Sequence, residues 1–439
     1  MGSVPASDTQ KSLDLALRVG EMLLANGAGA ADVTATMSSI THHLGLRQAI
    51  VDVTFTMLTI AHQGGPDEAP IALRRNVTQR EIDYADLTAV DHLVADLLSD
   101  RITRDEAAQQ VLQLASSGHP TPRWAVTVSW GVVGAGVALL LGGDWIVLLV
   151  AALAGGVIEV LQRRLARFRL PFFYSQVAGG LLATLLAVAL AVTDVPVDPS
   201  LVVTASIVML LAGLGFMGAI QDALTGFYLT AQARILEVMI ATIGIIVGVS
   251  FGLAVGDSLG VDLGLEPGRS GLSHLPGVIA GCAITAGGFA FSAYAPRRIL
   301  LPIALIAGVG GALYYTLTDR GVGPAAASGI AAVVIGFVSY GVAGRGRVPP
   351  LVIVVSCIVP LLPGLSIYRG LSLLAAENYV GIIAMITAVA VAISLAAGVI
   401  LGEYVAQPLG REARRLEQRL AGPRLVGPIR ARLHKRSDR

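Results

Sequence analysis

Long apolar runs separated by short polar segments fill most of the chain after residue 124. A transmembrane helix needs about 20 mainly apolar residues, and ten runs come close to that length. The predicted spans are 124–141, 145–161, 171–193, 201–220, 235–255, 275–295, 299–317, 325–343, 350–365 and 379–405. The first two are near the lower length limit, so a single re-entrant hairpin is the alternative for that pair.

The first 123 residues, which we call the head, have no long apolar run. Their apolar residues recur instead at the spacing of amphipathic helices and strands. Apolar positions at helical spacing predict four helices, at 12–24, 31–44, 87–98 and 104–114. Alternation of apolar and polar residues predicts a half-buried strand at 51–57, and a turn at 64–67 leads to a second strand at 71–79. Thr103 and Glu106 have the spacing of a helix capping box. These elements predict a small α+β domain.

Charge is distributed unevenly, although the formal net charge is only +1. Residues 1–123 carry 15 acidic and 9 basic side chains, whereas the last 29 residues carry 10 basic and 3 acidic ones. The whole chain is 14% charged, against about 25% in soluble proteins. We therefore predict a cytoplasmic head (1–123), two membrane halves (124–260 and 261–407) and a basic cytoplasmic tail (408–439).

Arginines between the predicted spans indicate the orientation of the membrane part, because cytoplasmic loops are enriched in basic residues. Loops on the side of the head would hold nine of them: Arg163, Arg164, Arg167, Arg169, Arg234, Arg297, Arg298, Arg345 and Arg347. Loops on the other side hold Arg269, Arg320 and Arg369, together with most of the loop acids: Asp144, Asp194, Asp198, Asp257, Asp262, Glu266, Asp319 and Glu377. This asymmetry predicts that both termini are cytoplasmic. The basic run Arg411, Arg414, Arg415 and Arg419 would then contact anionic lipid or act only as a solvated topology signal.

Several protein classes are excluded by missing motifs. The only lysines, Lys11 and Lys435, do not follow the glycine of a phosphate-binding loop, which excludes an ATP-driven pump within this chain. Cys282 and Cys357 lie in apolar runs and are expected to be buried, and no metal-ligand spacing is present. No signal peptide is expected, because no basic stretch precedes an apolar segment at the N-terminus.

Two of the apolar runs resemble each other in sequence. Residues 207–214 (IVMLLAGL) align with residues 358–365 (IVPLLPGL) at an offset of 151, and six of the eight positions are identical. The runs are the fourth and the ninth, so each has the same place in a set of five. A unit with an odd number of spans must enter the membrane from opposite sides in its two copies. The sequence thus predicts ten transmembrane helices arranged as a 5+5 inverted repeat.

Helix-breaking residues lie in both matched runs. They are Gly213, Gly215 and Gly218 in one run, and Pro360, Pro363 and Gly364 in the other. Paired interrupted helices in inverted repeats are where transporters bind their ligands, because the broken ends expose backbone groups and helix dipoles. The alternative is that the glycines only allow close packing between helices.

Charged and polar residues follow both matched runs. Asp222, Gly226, Arg234 and Glu237 follow the first, and Tyr368, Arg369 and Glu377 follow the second. An arginine and an acid could bind the carboxylate and the ammonium of an amino acid, and a proton-coupled mechanism needs a carboxylate that changes protonation. Asp222, Glu237 and Glu377 are the coupling candidates, with ordinary anchoring at helix ends as the alternative. His62 and His92 of the head are expected to stabilise that domain.

Five segments resemble the threonine/serine exporter family: LALRVGEMLLANGAGAADV (15–33), VDVTFTMLTIAH (51–62), YADLTAVDHLV (84–94), QDALTGFYLTAQARILEVM (221–239) and VPPLVIVVSCIVPLLPGLSIYRG (348–370). The resemblance implies a cofactor-free exporter of L-threonine and L-serine in the bacterial inner membrane, driven by the proton motive force. Lipid and protons would be its other partners, no nucleic acid is expected, and homo-oligomerisation is left open. A passive small-solute channel and a membrane-embedded hydrolase are the alternatives, although the usual hydrolase motifs are missing.

Overall fold

The computed structural model describes residues 6–406 except 66, 79, 117, 119, 120, 169, 194–198, 211–212, 261–274 and 376, and the described part is mostly helical. The predicted basic tail lies outside the described residues. The same is true of Arg169, Asp194, Asp198, Asp262, Glu266 and Arg269.

The head contains four helices and one antiparallel sheet with the strand order β1-β2-β3. Its elements are α1 (Ala6–Ala25), α2 (Ala30–His43), β1 (Ile50–Thr54), β2 (Met57–His62), β3 (Ile71–Asn76), α3 (Tyr84–Leu98) and α4 (Arg104–Ser116). α1 packs against the other three helices and against β2 and β3, and its apolar face is buried. All four predicted helices are present.

Local sequence signals explain how these helices begin and end. Gly27, with a φ of 96°, follows the end of α1, where a residue with a side chain would be strained. The capping box before α4 is formed as predicted: the Thr103 amide donates to Glu106 Oε2 at 2.7 Å, and the Glu106 amide donates to Thr103 Oγ1 at 3.3 Å.

The strand predicted at 51–57 is confirmed only as far as Thr54, where β1 ends. The chain reverses at Phe55 and Thr56, and Thr54 of β1 pairs with Met57 of β2. Phe55 adopts a φ of 54°, a conformation that Gly or Asn usually supplies in such a turn. The expected two-stranded hairpin is therefore a three-stranded sheet. Apolar alternation runs through the turn without a break, so the pattern did not reveal it.

The rest of the described chain is a bundle of long apolar helices. They are α5 (Arg123–Leu140), α6 (Trp145–Arg167), α7 (Phe172–Ala191), α8 (Pro199–Leu210), α9 (Gly213–Leu224), α10 (Tyr228–Ser258), α11 (Leu275–Ser292), α12 (Arg297–Asp319), α13 (Pro324–Gly346), α14 (Pro350–Ile358), α15 (Gly364–Ala375) and α16 (Val380–Ala406). Among the described residues, eight helices are long and apolar enough to span a membrane, or nine if α14 and α15 form one bent span. The chain is a polytopic α-helical membrane protein.

The second matched run is an interrupted helix. A 3₁₀ turn (Val359–Leu361) separates α14 from α15, and the two parts are bent by 45°. In the first matched run the structure describes α8 up to Leu210 and α9 from Gly213. Asp222 and Arg369, expected just past the predicted spans, lie within α9 and α15, because both helices extend beyond those spans.

Close helix pairs repeat in the two parts of the bundle. α7 packs on α10, and α13 packs on α16. A Cβ atom at Gly180 would lie 2.7 Å from the Ile245 carbonyl oxygen, and one at Gly336 would lie 2.7 Å from that of Val399. Gly248 and Gly402 approach the carbonyls of Val177 and Val333 in the same way. Only glycine permits such close backbone contact.

The head lies against one end of the bundle, which we call the head side. The Tyr84 amide donates to the Ala293 carbonyl at 2.8 Å, just after α11, and the Tyr84 ring meets Phe289 edge to face. His92 lies 3.1 Å from the Arg347 carbonyl, just after α13. Burial raises the pKa of Tyr84, so its phenol stays neutral in this contact. Arg345, in the last turn of α13, and Arg347, just after it, were both predicted to lie on the side of the head.

Candidate functional site

Gly213 lies against the break in the second matched run, and we call this contact the junction. A Cβ atom on Gly213 would lie 3.0 Å from Leu362 Cβ and 3.7 Å from the Gly364 amide nitrogen. Pro363 is buried and separates the 3₁₀ turn from α15. Gly213, the first described residue of α9, is thus a neighbour of the first residue of α15. The N-terminus of α15 carries partial positive charge and unpaired amides, so the junction suits an anionic group.

Two charged side chains, one on α9 and one on α10, form a buried pair. Arg234 Nη1, from α10, lies 3.0 Å from Asp222 Oδ2, from the last turn of α9. The Asp222 residue is 1% exposed, and the Arg234 side chain is 13% exposed. Asp222 Oδ2 has no hydrogen bond of good geometry, so the contact is an ion pair by distance only.

Glycine allows the Arg234 guanidinium to lie against α9. A Cβ atom on Gly218 would be 3.0 Å from Arg234 Nη1. Gly218 is five residues from Gly213, which corresponds to about 8 Å along a helix axis. The guanidinium therefore lies along α9 between Asp222 and the junction at Gly213.

A backbone group of the head completes the surroundings of Asp222. The amide of Ala30, the first residue of α2, donates to Asp222 Oδ1 at 3.1 Å. A Cβ atom on Gly29 would be 3.7 Å from that oxygen and 3.9 Å from Asp32 Oδ2. The carboxylate of Asp32, which belongs to the head, is thus close to that of Asp222. Asp32 also lines a cavity of about 40 Å³, large enough for water, whose other lining residues are Leu23, Ala28, Thr36, Leu87, Asp91, Pro349, Pro350 and Leu351.

Glu237 faces the head rather than Arg234. Arg80 Nη2 donates to both carboxylate oxygens of Glu237, at 2.8 and 2.9 Å. The Arg80 guanidinium also lies 4.4 Å from the centroid of the Phe55 ring. The Glu237 side chain is 43% exposed, so this pair contributes little stability but fixes the position of the β1–β2 turn.

The interrupted helix α14–α15 has a different set of polar groups. Tyr368 is buried, and Arg369 is half-buried without a carboxylate within ion-pair distance among the described residues. Glu377 is exposed and adopts a φ of 58° in the turn after α15. Gly226 holds the turn after α9, with a φ of 93°. The structure does not bring Arg369 or Glu377 to the Asp222–Arg234 pair.

The other side chains considered in the sequence lie away from the Asp222–Arg234 pair, in the protein core or in the head. Cys282 and Cys357 are free and fully buried. His62 ends β2 and His92 contacts the bundle. Within the described ranges, no three His, Cys, Asp or Glu side chains are grouped as metal ligands.

Sequence patterns missed the contribution of the head. Ala30 acts through its main-chain amide, which any residue except proline would supply, and it is 192 positions from Asp222. Arg80 lies in an irregular segment without a motif. Glu403 was also missed: it is buried in α16 beside Gly336, and its position as the only charge in a long apolar run could have revealed it.

Two family models match this chain. One, described as "Putative threonine/serine exporter", matches residues 14–256, and the other, described as "Threonine/Serine exporter, ThrE", matches residues 278–405. Together they cover the head and both parts of the bundle.

Curated relatives agree with this match. The chain is 34% identical over 443 aligned positions to a "Probable threonine/serine exporter" of Mycobacterium tuberculosis, covering 98% of this chain and 84% of that protein. It is also 34% identical over 416 positions to a "Threonine/serine exporter" of Corynebacterium glutamicum, covering 92% and 84%. No solved structure matches the chain. Because these proteins are exporters and not enzymes, the hydrolase alternative is removed, and the chain belongs to the threonine/serine exporter family of multi-pass membrane proteins.

Proposed function

We propose that this protein exports L-threonine and L-serine from the bacterial cytoplasm by alternating access, driven by the proton motive force. The observation that carries the proposal is the contact of Gly213 with the helix break before Gly364, next to the Asp222–Arg234 pair. The relatives named threonine/serine exporter support the choice of substrate.

The chemistry of the site fits a small zwitterion. The substrate carboxylate binds at the junction, to the N-terminus of α15 and to the Arg234 guanidinium, and the ammonium binds to Asp222. The half-buried Arg369, on the far side of the break, offers the carboxylate a second cation as the site opens outward. Glu237 is held by Arg80 and serves the head contact instead.

Proton coupling is assigned to Asp222. Its carboxylate is buried and paired with one arginine, so its charge depends on whether substrate is present and which side is open. Protonation from the outer side releases the substrate ammonium there. Loss of that proton to the cytoplasm then restores the acid that binds the next substrate.

Alternating access would use an inverted repeat of two five-span units, and the contacts between helices support this arrangement. The helix pairs α7–α10 and α13–α16 repeat the same glycine contacts, and α9 packs on α16 while α15 packs on α10. The two family matches fall on one unit each, with the head in the first match. The head and the arginines at the head side are placed in the cytoplasm of a bacterial inner membrane, as the loop charges favour.

Export of labelled threonine from vesicles loaded with it tests the proposal. Saturable export that requires an imposed pH gradient and is abolished by an uncoupler is expected. Asp222→Asn should lose gradient-driven export, and Asp257→Asn, at an exposed position near the end of α10, is the matched control. Leakage without saturation or gradient dependence would instead identify a passive channel.

A further inference from the structure

The path from the head side to Asp222 is closed in this structure. Asp222 is 1% exposed although it lies in the last turn of α9, at the end of the bundle that meets the head. An exporter must take its substrate from the cytoplasm. If the head is cytoplasmic, a substrate cannot reach Asp222 while the head keeps its present contacts.

The first of these contacts is the one between Asp222 and α2. α2 begins after Gly29, which has no side chain to cap the helix. The Asp222 carboxylate acts as that cap by accepting the Ala30 amide hydrogen. A carboxylate at a helix N-terminus is also favoured by the helix dipole. The amide is therefore a donor in the place where the proposed function puts the substrate ammonium.

A second contact ties the head to the start of α10. The Phe55 amide donates to Thr230 Oγ1 at 2.9 Å, and the Thr230 hydroxyl donates to the Val53 carbonyl at 3.4 Å. Thr230 lies near the start of α10 and is 1% exposed, because the β1–β2 turn packs against it. The β1–β2 turn and the N-terminus of α2 thus hold the two helices that carry Arg234 and Asp222.

We propose that the head is the inner gate of the exporter: the N-terminus of α2 closes the site by binding Asp222, and the head releases this carboxylate to admit each substrate. This inference rests on the proposed function and adds a moving part to it. The substrate ammonium replaces the Ala30 amide as the donor to Asp222. The β1–β2 turn separates from Thr230 in the same movement, because both contacts belong to one small folded domain.

A reversible cross-link tests whether the gate has to open. Cysteines at Phe55 and Thr230 lie close enough for a short bifunctional thiol reagent, and the native Cys282 and Cys357 are buried. In vesicles with the head on the outer surface, transport is measured as uptake of labelled threonine into the lumen. We expect cross-linking to stop uptake and a reducing agent to restore it. Each single-cysteine protein, treated with the same reagent, serves as the reference.

Accessibility of Thr230→Cys gives a second measurement that needs no cross-link. A water-soluble thiol reagent should label this cysteine faster when threonine and a pH gradient are present than when either is absent. Ala30→Pro should increase labelling on the order of tenfold without substrate, because a hydrogen bond to a charged acceptor is lost. Proline is tolerated at the first position of a helix, and Gly29 is already extended, with a ψ of 155°. Ala30→Ser keeps the amide hydrogen, and the difference between these two variants measures the amide contact.

Two results would overturn the inference. One is normal uptake by the fully cross-linked protein. The other is labelling of Thr230→Cys that neither substrate nor Ala30→Pro changes. Failure of the proposed function looks different, because the unmodified protein would then show no saturable uptake of threonine that depends on the pH gradient.

Discussion

Gly226 and Glu377 occupy the same position in the same backbone turn, one after α9 and the other after α15. The Gly226 amide donates to the Ala223 carbonyl at 3.1 Å, and the Glu377 amide donates to the Leu374 carbonyl at 3.0 Å. The next amide donates five residues back in both turns, at 2.8 Å. Both residues have positive φ, 93° and 58°. The sequence offset of 151 residues therefore also relates the turn after α9 to the turn after α15.

Glu377→Gly should stabilise the protein by about 1 kcal/mol, because a side chain at positive φ is strained and glycine is not. Thermal unfolding in detergent measures this change. We expect threonine export to keep its dependence on the pH gradient in this variant. Loss of that dependence in both Glu377→Gly and Glu377→Gln would instead make Glu377 a coupling residue.

Arg234→Ala should abolish export and destabilise the protein by about 3–5 kcal/mol, because Asp222 is left as a buried charge without its partner. The sequence offset of 151 residues suggests a way to separate these two effects. Leu373 stands at the position equivalent to Asp222, and Met385 stands at the one equivalent to Arg234. Asp222→Leu combined with Arg234→Met should recover most of the lost stability without recovering export.

Unfolding midpoints and threonine export are measured in parallel for the two single variants and the double variant. Non-additive stability in this double-mutant cycle would report the coupling between the two side chains. Normal export by the double variant would remove both residues from the transport site.

Gly402→Ala should destabilise the bundle by about 1–3 kcal/mol, because its Cβ would overlap the Val333 carbonyl, which belongs to a rigid helix backbone. Gly341→Ala is the matched control. It lies on α13 with no atom within 4 Å of the added Cβ, so the higher helix propensity of alanine should stabilise by up to about 1 kcal/mol. Equal unfolding midpoints for the two variants would show that the close contact at Gly402 is absent.

A cysteine at Arg345 should be labelled only from the cytoplasm, and one at Arg320 only from outside. Arg345 lies in the last turn of α13, whereas Arg320 lies just after α12, close to the start of α13, so the two residues are at opposite ends of that helix. Both positions are exposed. An impermeant thiol reagent added to intact cells and to inverted vesicles makes the measurement. The reverse labelling pattern would place the head outside the cytoplasm.

Features carried by residue type were predictable from the sequence. Pro363 and Gly364 disfavour a continuous helix in any surroundings, and the second matched run is broken at this point. The head helices were predictable because apolar spacing and caps such as Thr103 are local signals.

Features carried by backbone groups or by distant contacts were not predictable. The turn at Phe55 has no glycine or asparagine, and Arg80, which packs on the Phe55 ring, is 25 residues away. The hydrogen bond from the Ala30 amide does not depend on the side chain at that position, so the residue type does not reveal it. Sequence patterns therefore identified Asp222 and Arg234 as candidates but could not show that a part of the head binds Asp222.

The glycine contacts of α7 with α10 and of α13 with α16 have a mechanical consequence. Where two backbones touch directly, no side chain lies between them to change rotamer, so neither helix can slide without breaking many contacts together. Each helix pair should therefore move as one rigid body. Deformation then concentrates at the bend between α14 and α15, where the helical hydrogen bonding is interrupted and the chain can act as a hinge.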